Sequence, residues 1–422
     1  PFYEDDWRDR CRDKFSTAAC ALYALATEHQ WPAERWREAL QAWSEEKQTK
    51  RSWRYLSRWI MKMPDDVLTT IAHSATWWLE AISKLEITNE PDFIELCGRF
   101  LSFDLQGGVV EGRPVTRAIN HPIGHITQAL LNRWFQRQPN DDDGLPDELK
   151  PLFSLLCDTQ VAQYRHARVL LASRLIALYR VDRIWTEQYL LPLFKWQLAE
   201  NEARGAWDGF LWSPRLYRPL LVSFKADFLE TARHYADLGD HGRQYAAILT
   251  HAAMDPADTF TTAELYSATS ALPQDGLVEA AQALVHALGG AGEQRESHWN
   301  NRIQPYWRTV WPKSKQLASK PIAEQLTRLV IAARGEFPAA LATVRDWLQP
   351  LEHPHYPVHL LQQSALCTRF PREALTLLDA IIADQPWPPR ELEDCLTAII
   401  QSWPEAQHDP RYHRLLEYQR RR

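Results

Sequence analysis

The sequence predicts an all-α fold of stacked helical hairpins, an α-solenoid-like repeat array, and three observations predict it. Apolar residues recur at three- and four-residue steps along most of the chain, which is the period of an α-helix. Glycine is scarce, at 15 of 422 residues, and alternation of β-branched residues is almost absent. Short turns that contain proline, such as Trp31-Pro32 and Pro64, separate the helical segments.

The N-terminal part carries the most regular pattern. In the segment 33–46, Trp36, Leu40 and Trp43 share one stripe, as the buried face of a helix does. Pro64 is followed by two aspartates, a composition typical of the first turn of a helix. We predict helices over residues 14–29, 33–46, 51–61, 64–85, 91–105, 162–180 and 217–238.

The length of the chain predicts more than one folding unit, because a single core rarely grows beyond about 250–300 residues. Breaks in the pattern fall at residues 106–120, which include Gly107-Gly108, and at 138–146. A loop at Gly289–Gly292 divides the remainder. We predict an N-terminal helical subdomain (1–106), a loop-rich boundary (107–146), a central aromatic-rich domain (147–288) and a C-terminal helical-repeat domain (293–422).

One pair of similar segments supports a repeat in the C-terminal part. The residues that follow Phe337 and those that follow Phe370, 33 positions later, both combine proline in the next position with an apolar helical pattern. A period near 34 residues is typical of helix–turn–helix repeats. Such units stack into scaffolds that bind partners.

Composition limits the classes of function. The net charge of −6 argues against a nucleic-acid binder, and the chain has no run of about 18 apolar residues that would span a membrane. Cys11, Cys20, Cys97, Cys157, Cys367 and Cys395 form no C-x-x-C pair and several lie in apolar helical patterns. We therefore expect reduced cysteines and a cytoplasmic protein. The start at Pro1-Phe2 indicates a piece of a longer protein.

Two histidine clusters are candidate metal sites. His121 and His125 lie four residues apart, a spacing that zinc sites use on one helix face, but no third ligand is nearby in the sequence. We favour a structural role, with His121 at the start of a helix. His353, His355 and His359 are interrupted by prolines and are interpreted as a turn between helices. No cofactor is predicted.

Other polar or glycine-rich segments are interpreted as structural. The Gly289–Gly292 loop lacks the preceding strand and the lysine of a phosphate-binding loop. Asp141–Asp143 lie beside residues typical of an exposed loop. Arg420–Arg422 form a short basic end with too few charges to indicate nucleic-acid binding.

The segment 207–217 is the most distinctive short stretch. Its aromatic and arginine side chains are of the types enriched in binding hot spots, although such aromatics also fill the cores of helical proteins. The candidate binding residues are Trp207, Phe210, Trp212, Arg215 and Tyr217.

About 300 residues, from His121 to the C-terminus, resemble the helical C-terminal region of bacterial anti-phage sirtuin-like proteins. The resemblance is carried by HPIGHITQAL (121–130), LPLFKWQLAENEARGAWDGFLWSPRL (191–216), WPKSK (311–315) and FPREALTLLDAIIADQPWPPREL (370–392). In that family an N-terminal sirtuin-like domain degrades NAD⁺, and the helical region resembles a sensor of a phage structural protein.

The resemblance implies a sensor that binds a phage tail or capsid protein and controls an effector domain of the same polypeptide. The chain has no sirtuin glycine motif, so we expect no NAD⁺ degradation by this chain itself. Two alternatives stay open. One is an enzyme of unrecognised type with a pocket near His121, His125 and the 207–215 segment. The other is a structural scaffold of a multi-subunit complex. Homo-oligomer formation also stays open.

Overall fold

The structure is a computed structural model that describes residues 7–105, 112–255, 259–383 and 386–420. Helices and short turns make up these residues, and no strand occurs among them. The chain divides into two compact units, Pro1–Ser213 (unit 1) and Pro214–Arg422 (unit 2). The all-α prediction is therefore confirmed. In the same residues, no helix is both long enough and apolar enough to cross a membrane.

Unit 1 contains fourteen α-helices within its described residues, joined by short turns and by 3₁₀ or π segments at Ala162–Tyr164, Thr186–Leu190 and Leu191–Phe194. The helices are α1 (Trp7–Asp13), α2 (Phe15–Thr27), α3 (Ala33–Trp43), α4 (Glu46–Lys62), α5 (Asp65–Thr70), α6 (Ala72–Ser83), α7 (Glu90–Leu101), α8 (Pro114–Ile119), α9 (Pro122–Gln136), α10 (Lys150–Leu156), α11 (Arg165–Ala172), α12 (Leu175–Val181), α13 (Arg183–Trp185) and α14 (Glu200–Leu211).

Helices of successive hairpins pack side by side in unit 1. Helix α3 contacts α6, α6 contacts α9, α9 contacts α11, and α11 contacts α14, while α8 packs on α9, α11 and α14. Two buried tryptophans, Trp43 and Trp78, join neighbouring helices through hydrogen bonds from their indole N–H groups. Trp43 Nε1 donates to the Cys11 carbonyl (3.0 Å) and Trp78 Nε1 donates to Ser52 Oγ (2.8 Å). The predicted buried stripe of α3 is confirmed.

Unit 2 is also a series of α-helices, with 3₁₀ or π segments at Thr231–His241, Gly292–Gln294, Trp299–Ile303, Lys315–Leu317, Arg334–Glu336, Arg345–Trp347 and Pro404–His408. The helices are α15 (Arg218–Ser223), α16 (Lys225–Glu230), α17 (Gly242–Met254), α18 (Thr262–Ala271), α19 (Gln274–Gly290), α20 (Arg295–His298), α21 (Gln304–Thr309), α22 (Lys320–Ala332), α23 (Phe337–Val344), α24 (His355–Gln363), α25 (Leu366–Arg369), α26 (Pro371–Ile381), α27 (Leu392–Ser402) and α28 (Pro410–Arg420).

Two series of contacts order unit 2. Helices α17, α19, α22, α24 and α27 each contact the next in that order, and α21, α23, α26 and α28 do the same. The two similar segments predicted from the sequence occupy successive positions in the second series. Their first aromatic residues, Phe337 and Phe370, stack with ring centroids 6.1 Å apart.

Several predicted boundaries are corrected. The segment 107–146, expected to be a loop-rich boundary, contains α8 and the buried helix α9. The core continues through it because Ile126, Leu130 and Trp134 pack inward. Gly107-Gly108 lie outside the described residues. Gly289 and Gly290 belong to α19, because Leu288 and its buried face extend the helix to that point.

Three predicted helices are interrupted. The helix expected at 64–85 breaks at Ile71, where the backbone leaves helical angles, and forms α5 and α6. The helix expected at 162–180 divides into α11 and α12 near Arg174. The helix expected at 217–238 becomes α15, α16 and a 3₁₀ segment that contains the left-handed Gly239, with φ 54°.

All six cysteines are free, and all except Cys20 are buried. Burial raises the pKa of both Cys11 and Cys157 to about 12. These thiols are therefore protonated and unreactive at neutral pH, as expected of structural cysteines.

Candidate functional site

The HPIGH segment forms the start of α9. His121 is the N-cap, with extended backbone angles, and its Nδ1 accepts a hydrogen bond from the Ile123 backbone N–H (3.1 Å). Pro122 occupies the first helical position, where its missing N–H leaves no intrahelical bond unmade. The predicted helix-start role of His121 is confirmed.

Gly124 allows α8 and α9 to approach each other closely. A Cβ atom at this position would lie 1.7 Å from the Ala118 carbonyl oxygen, a distance that no side chain can occupy. Val115 and Ala118 of α8 then pack with Val169 and Leu170 of α11 in a buried apolar cluster. The glycine therefore fixes the end of α8 above the first turn of α9.

Four histidines surround this junction in two ring pairs. His125 Nδ1 lies 3.1 Å from Thr76 Oγ1, and its ring meets the His73 ring edge-on at 5.2 Å. The His121 ring stacks on that of His166, with centroids 4.0 Å apart and planes nearly parallel. Helices α6, α9 and α11 thus each contribute a ring.

Three of these imidazoles are neutral at physiological pH. Burial, with the nearby His73, lowers the pKa of His121 to about 4. Burial and the same neighbour lower the pKa of His125 to about 3, although a hydrogen bond to the Ile119 backbone acts in the opposite direction. Burial, the His121 ring and nearby arginines lower the pKa of His166 to about 4. Stacking of neutral rings avoids the repulsion that two imidazolium groups would suffer.

The weak metal-site hypothesis for His121 and His125 gains no third ligand. Over residues 7–420 with their gaps, no group of three or more His, Cys, Asp or Glu side chains is placed to hold a metal ion. The Nδ1 atom of His121 is already occupied by the Ile123 N–H. The geometry instead gives these histidines a role in positioning α8 and α9.

A groove of about 580 Å³ opens beside His73 and His125, and we call it the α6–α9 groove. Trp77 and Ile119 stand at its sides and are 42% and 46% exposed. The groove is lined by His73, Trp77, Glu80, Lys84, Ile119, Asn120, His125, Gln128 and Arg174.

Apolar and polar groups alternate around the groove. Lys84 Nζ bonds Glu80 Oε1 at 3.1 Å on one side. On another side the Arg174 guanidinium lies over the Phe135 ring, 5.9 Å from its centroid. A half-exposed tryptophan with an arginine and hydrogen-bonding amides nearby is the composition of a protein-binding surface.

The candidate binding residues at 207–217 divide between the core and the surface. Trp207 and Phe210 are buried, and Trp207 Nε1 donates to the Phe194 carbonyl (3.1 Å). The prediction that these two form a recognition surface is therefore corrected: they pack unit 1 because α14 turns its aromatic face inward. Trp212 is 50% exposed, at the end of unit 1. Arg215 (exposed) and Tyr217 (partly exposed) belong to unit 2.

The remaining polar candidates are structural. The turn expected at residues 353–359 is corrected: His353 precedes α24, but His355 begins that helix and His359 lies within it, 3.2 Å from Glu391 Oε1. Asp141 pairs with Arg180 (2.8 Å) in an exposed loop, as predicted. At the basic C-terminal end, Arg420 closes α28, and Arg421-Arg422 lie outside the described residues.

Sequence reasoning found one part of the groove and missed the others. The HPIGH segment was singled out, and His125 does line the groove. His73 and Trp77 are four residues apart on α6, so helical spacing gave a signal that they share a face. No local pattern indicated Arg174, which precedes α12 and lines the groove only because helices distant in sequence pack together.

Comparison of the chain with protein-family models, with curated proteins and with solved structures gave no match. The resemblance to anti-phage sirtuin-like proteins therefore stays a prediction.

Proposed function

We propose that this chain is the sensor part of a bacterial anti-phage defence protein. It binds a phage structural protein, of the tail or capsid, and controls an NAD⁺-degrading effector domain of the same polypeptide in the cytoplasm. The proposal rests on the sequence resemblance over residues 121–422 and on the α6–α9 groove. Stacked hairpins support it because they present extended surfaces for protein partners.

The observation that carries the proposal is the exposure of Trp77 at the edge of a groove. A tryptophan that remains 42% exposed beside a 580 Å³ concavity presents a large apolar surface to a partner. Ile119 adds apolar area on the opposite side, and Gln128 and Asn120 supply hydrogen-bonding groups. Truncation of one aromatic anchor in such a site removes much of the binding energy.

Control of an effector requires that the partner bind one state of the sensor more tightly than another. The junction of α8 and α9 is suited to report binding, because the His121–His166 stack and the Gly124 contact join the groove to α11. The proposed partner therefore contacts the groove and stabilises one arrangement of these helices.

The experiment measures binding of the purified chain to a panel of purified phage tail and capsid proteins by biolayer interferometry. We expect one of them to bind and Trp77→Ala to weaken that binding by about thirtyfold, the loss typical of a hot-spot residue. Trp387→Ala is the matched control, because Trp387 is 71% exposed and is not among the residues that line the groove. It should leave the affinity unchanged.

Two results would contradict the proposal. One is the absence of binding across tail and capsid proteins of many phages. The other is equal loss of affinity in the Trp77 and Trp387 variants. The isolated chain should also leave NAD⁺ unconsumed, and NAD⁺ consumption by this chain would place the enzymatic activity within it rather than in an effector domain.

A further inference from the structure

A second concavity is lined in part by His166, whose ring stacks on that of His121. It has a volume of about 230 Å³ and is formed by α8, α11 with its preceding turn, and α14. Arg117, Arg165 and Arg204 line it together with His166 and Asn201, and we call it the arginine cleft. None of the described residues that line the cleft is acidic.

We propose that the arginine cleft binds a phosphate group, either inorganic phosphate or the phosphate of a small phosphomonoester. Three guanidinium groups on three different helices converge on one small concavity, in a chain whose net charge is −6. Arginine is the residue best suited to phosphate, because its planar fork donates two parallel hydrogen bonds to two oxygens.

The carboxylates near the cleft neutralise its arginines only in part, so the cleft keeps an excess of positive charge. Glu202 is held by the buried Arg168, whose Nε donates to Oε2 at 2.7 Å and whose terminal nitrogen donates to Oε1 at 3.0 Å. Arg165 reaches the same Glu202 at 3.2 Å, and Glu200 lies 3.7 Å from Arg204. Together with Asp208, whose Oδ2 accepts the Val115 N–H at 3.0 Å, these carboxylates are three against four guanidinium groups, so an excess of positive charge remains for an anion such as phosphate.

No ion pair to Arg117 is present within the part of the chain that the structure describes, although this residue faces the cleft from α8. Arg117 and Arg165 are among the positive charges that lower the pKa of His166, so the Arg117 guanidinium acts electrostatically on a residue that lines the cleft. A neutral imidazole can still donate one hydrogen bond to a phosphate oxygen.

The start of α14 adds backbone donors to these side chains. The N-cap of this 12-residue helix is Ala199, which has no polar side chain to satisfy the first N–H groups. Asn201 in the first turn and Arg204 in the second turn line the cleft. The positive end of the helix dipole favours negative charge here, and Glu200 and Glu202 of the first turn already supply part of it.

The volume limits the ligand. A cleft of about 230 Å³ is smaller than the roughly 300–1,000 Å³ typical of pockets for drug-sized molecules. It has room for a phosphate group and a few attached atoms, so any larger part of a phosphomonoester extends into solvent.

Titration calorimetry of the whole chain with sodium phosphate tests the proposal, at an ionic strength fixed with sodium chloride. We expect saturable binding of one phosphate per chain. The dissociation constant should be at least about tenfold larger in Arg117→Gln, which is the effect of removing one charge-assisted hydrogen bond. Arg204→Gln is a second variant with the same expectation. Arg58→Gln, an exposed arginine on α4 outside the cleft, is the matched control and should bind like the unmodified chain.

Titrations with two other anions define which class of ligand the cleft accepts. Malonate, a small dianion of carboxylates, should bind more weakly than phosphate, and glycerol phosphate should bind about as well as phosphate if the cleft accepts phosphomonoesters. Weaker binding of glycerol phosphate assigns the cleft to inorganic phosphate. The proposal is overturned by the absence of saturable phosphate binding, by tighter binding of malonate, or by equal losses in the Arg58 and cleft variants. None of these results depends on the phage partner, so the sensor proposal is tested separately.

Discussion

Unit 1 and unit 2 are similar in length and share the hairpin arrangement, but they differ in whether they bury charged side chains. Arg133, Arg168, Asp182 and Asp208 are buried in unit 1, whereas no Arg, Lys, Asp or Glu of unit 2 is buried among its described residues. Burial of a charge is costly unless the charge is paired and hydrogen-bonded. The buried charged side chains of unit 1 must therefore be held in defined positions by their hydrogen-bond partners.

The buried charges of unit 1 hold irregular backbone in place. Asp208 Oδ2 accepts the Val115 N–H (3.0 Å) at the start of α8, and Asp182 accepts the N–H groups of Leu145 and Trp185. In unit 2 the helices pack through buried apolar side chains, and an ion pair such as Lys315 with Asp346 (3.2 Å) is exposed. The buried carboxylates of unit 1 thus fix the backbone at the starts of α8 and α13.

The largest expected effect is on the free energy of unfolding, and it compares one glycine of unit 1 with one glycine of unit 2. Gly124→Ala in unit 1 should prevent stable folding, or lower the free energy of unfolding by about 4 kcal/mol or more, since its Cβ would collide with backbone rather than with a movable side chain. Gly289→Ala in α19 meets open space. It should raise stability by about 0.5–1 kcal/mol, the helix preference of alanine over glycine. Urea unfolding of both variants makes the measurement, and a tolerated Gly124→Ala would show that α8 and α9 are not in close contact.

The second effect compares a buried with an exposed ion pair. Arg168→Leu leaves Glu202 partly buried without its bidentate partner and should lower the free energy of unfolding by about 3–5 kcal/mol. Lys315→Gln removes a charge from a pair whose side chains are 70% and 72% exposed, so the change should stay below about 1 kcal/mol. Equal losses in chemical denaturation would contradict the contrast between the units.

The third effect is a dependence on pH that originates in unit 1. The pKa values of His121, His125 and His166 are lower in the folded chain than in the unfolded chain, where they are near 6.5. The unfolded chain therefore takes up protons first, so stability is full above about pH 6.5 and falls as the pH is lowered toward 4. We expect each of the three histidines to contribute to this loss of stability.

Carboxylates with lowered pKa values, such as Glu202, lose their contribution mainly at lower pH than these histidines. His125→Asn should make the fall between pH 6.5 and 4 shallower, because asparagine can still bond Thr76 but takes up no proton. His408→Asn, at the exposed end of a turn in unit 2, should leave the fall unchanged. The prediction is wrong if both variants have the same pH profile as the unmodified chain.

The smallest effect tests the repeat in unit 2. Phe370→Leu keeps an apolar side chain but removes the ring that stacks on Phe337, and should lower the free energy of unfolding by about 1 kcal/mol. Tyr266→Leu, at a 40% exposed position of α18, should have less effect. An equal change in both variants would mean that the Phe337–Phe370 contact contributes nothing specific.

The sequence predicted helices well where one face is continuous, as in α3, and less well where the backbone bends for tertiary reasons. Nothing local to Ile71 marks the break between α5 and α6. The glycines have structural roles that their sequence context does not indicate. Gly289-Gly290 predict a loop, but the buried Leu288 continues α19 to this point; Gly124 has no local signal of its close contact with Ala118.

The candidate site was only partly predictable for a related reason. The Trp207–Tyr217 segment has hot-spot composition, yet composition does not distinguish an aromatic that packs α14 from one that faces solvent. The groove requires α6, α8, α9 and Arg174 to meet, and such long-range packing leaves no local pattern. The sequence pointed to one lining residue through the His121–His125 spacing, and the spacing of His73 and Trp77 places two more on one face of α6.

The central claim is that recognition takes place at the α6–α9 groove of unit 1. Hydrogen–deuterium exchange of the chain, alone and with the phage tail or capsid protein that binds it, tests this claim most directly. We expect binding to slow amide exchange in peptides that cover α6 and the α8–α9 junction, residues 72–84 and 114–128, and to leave exchange in α26 and α28 unchanged. Protection confined to unit 2, with residues 72–84 and 114–128 unchanged, would contradict it.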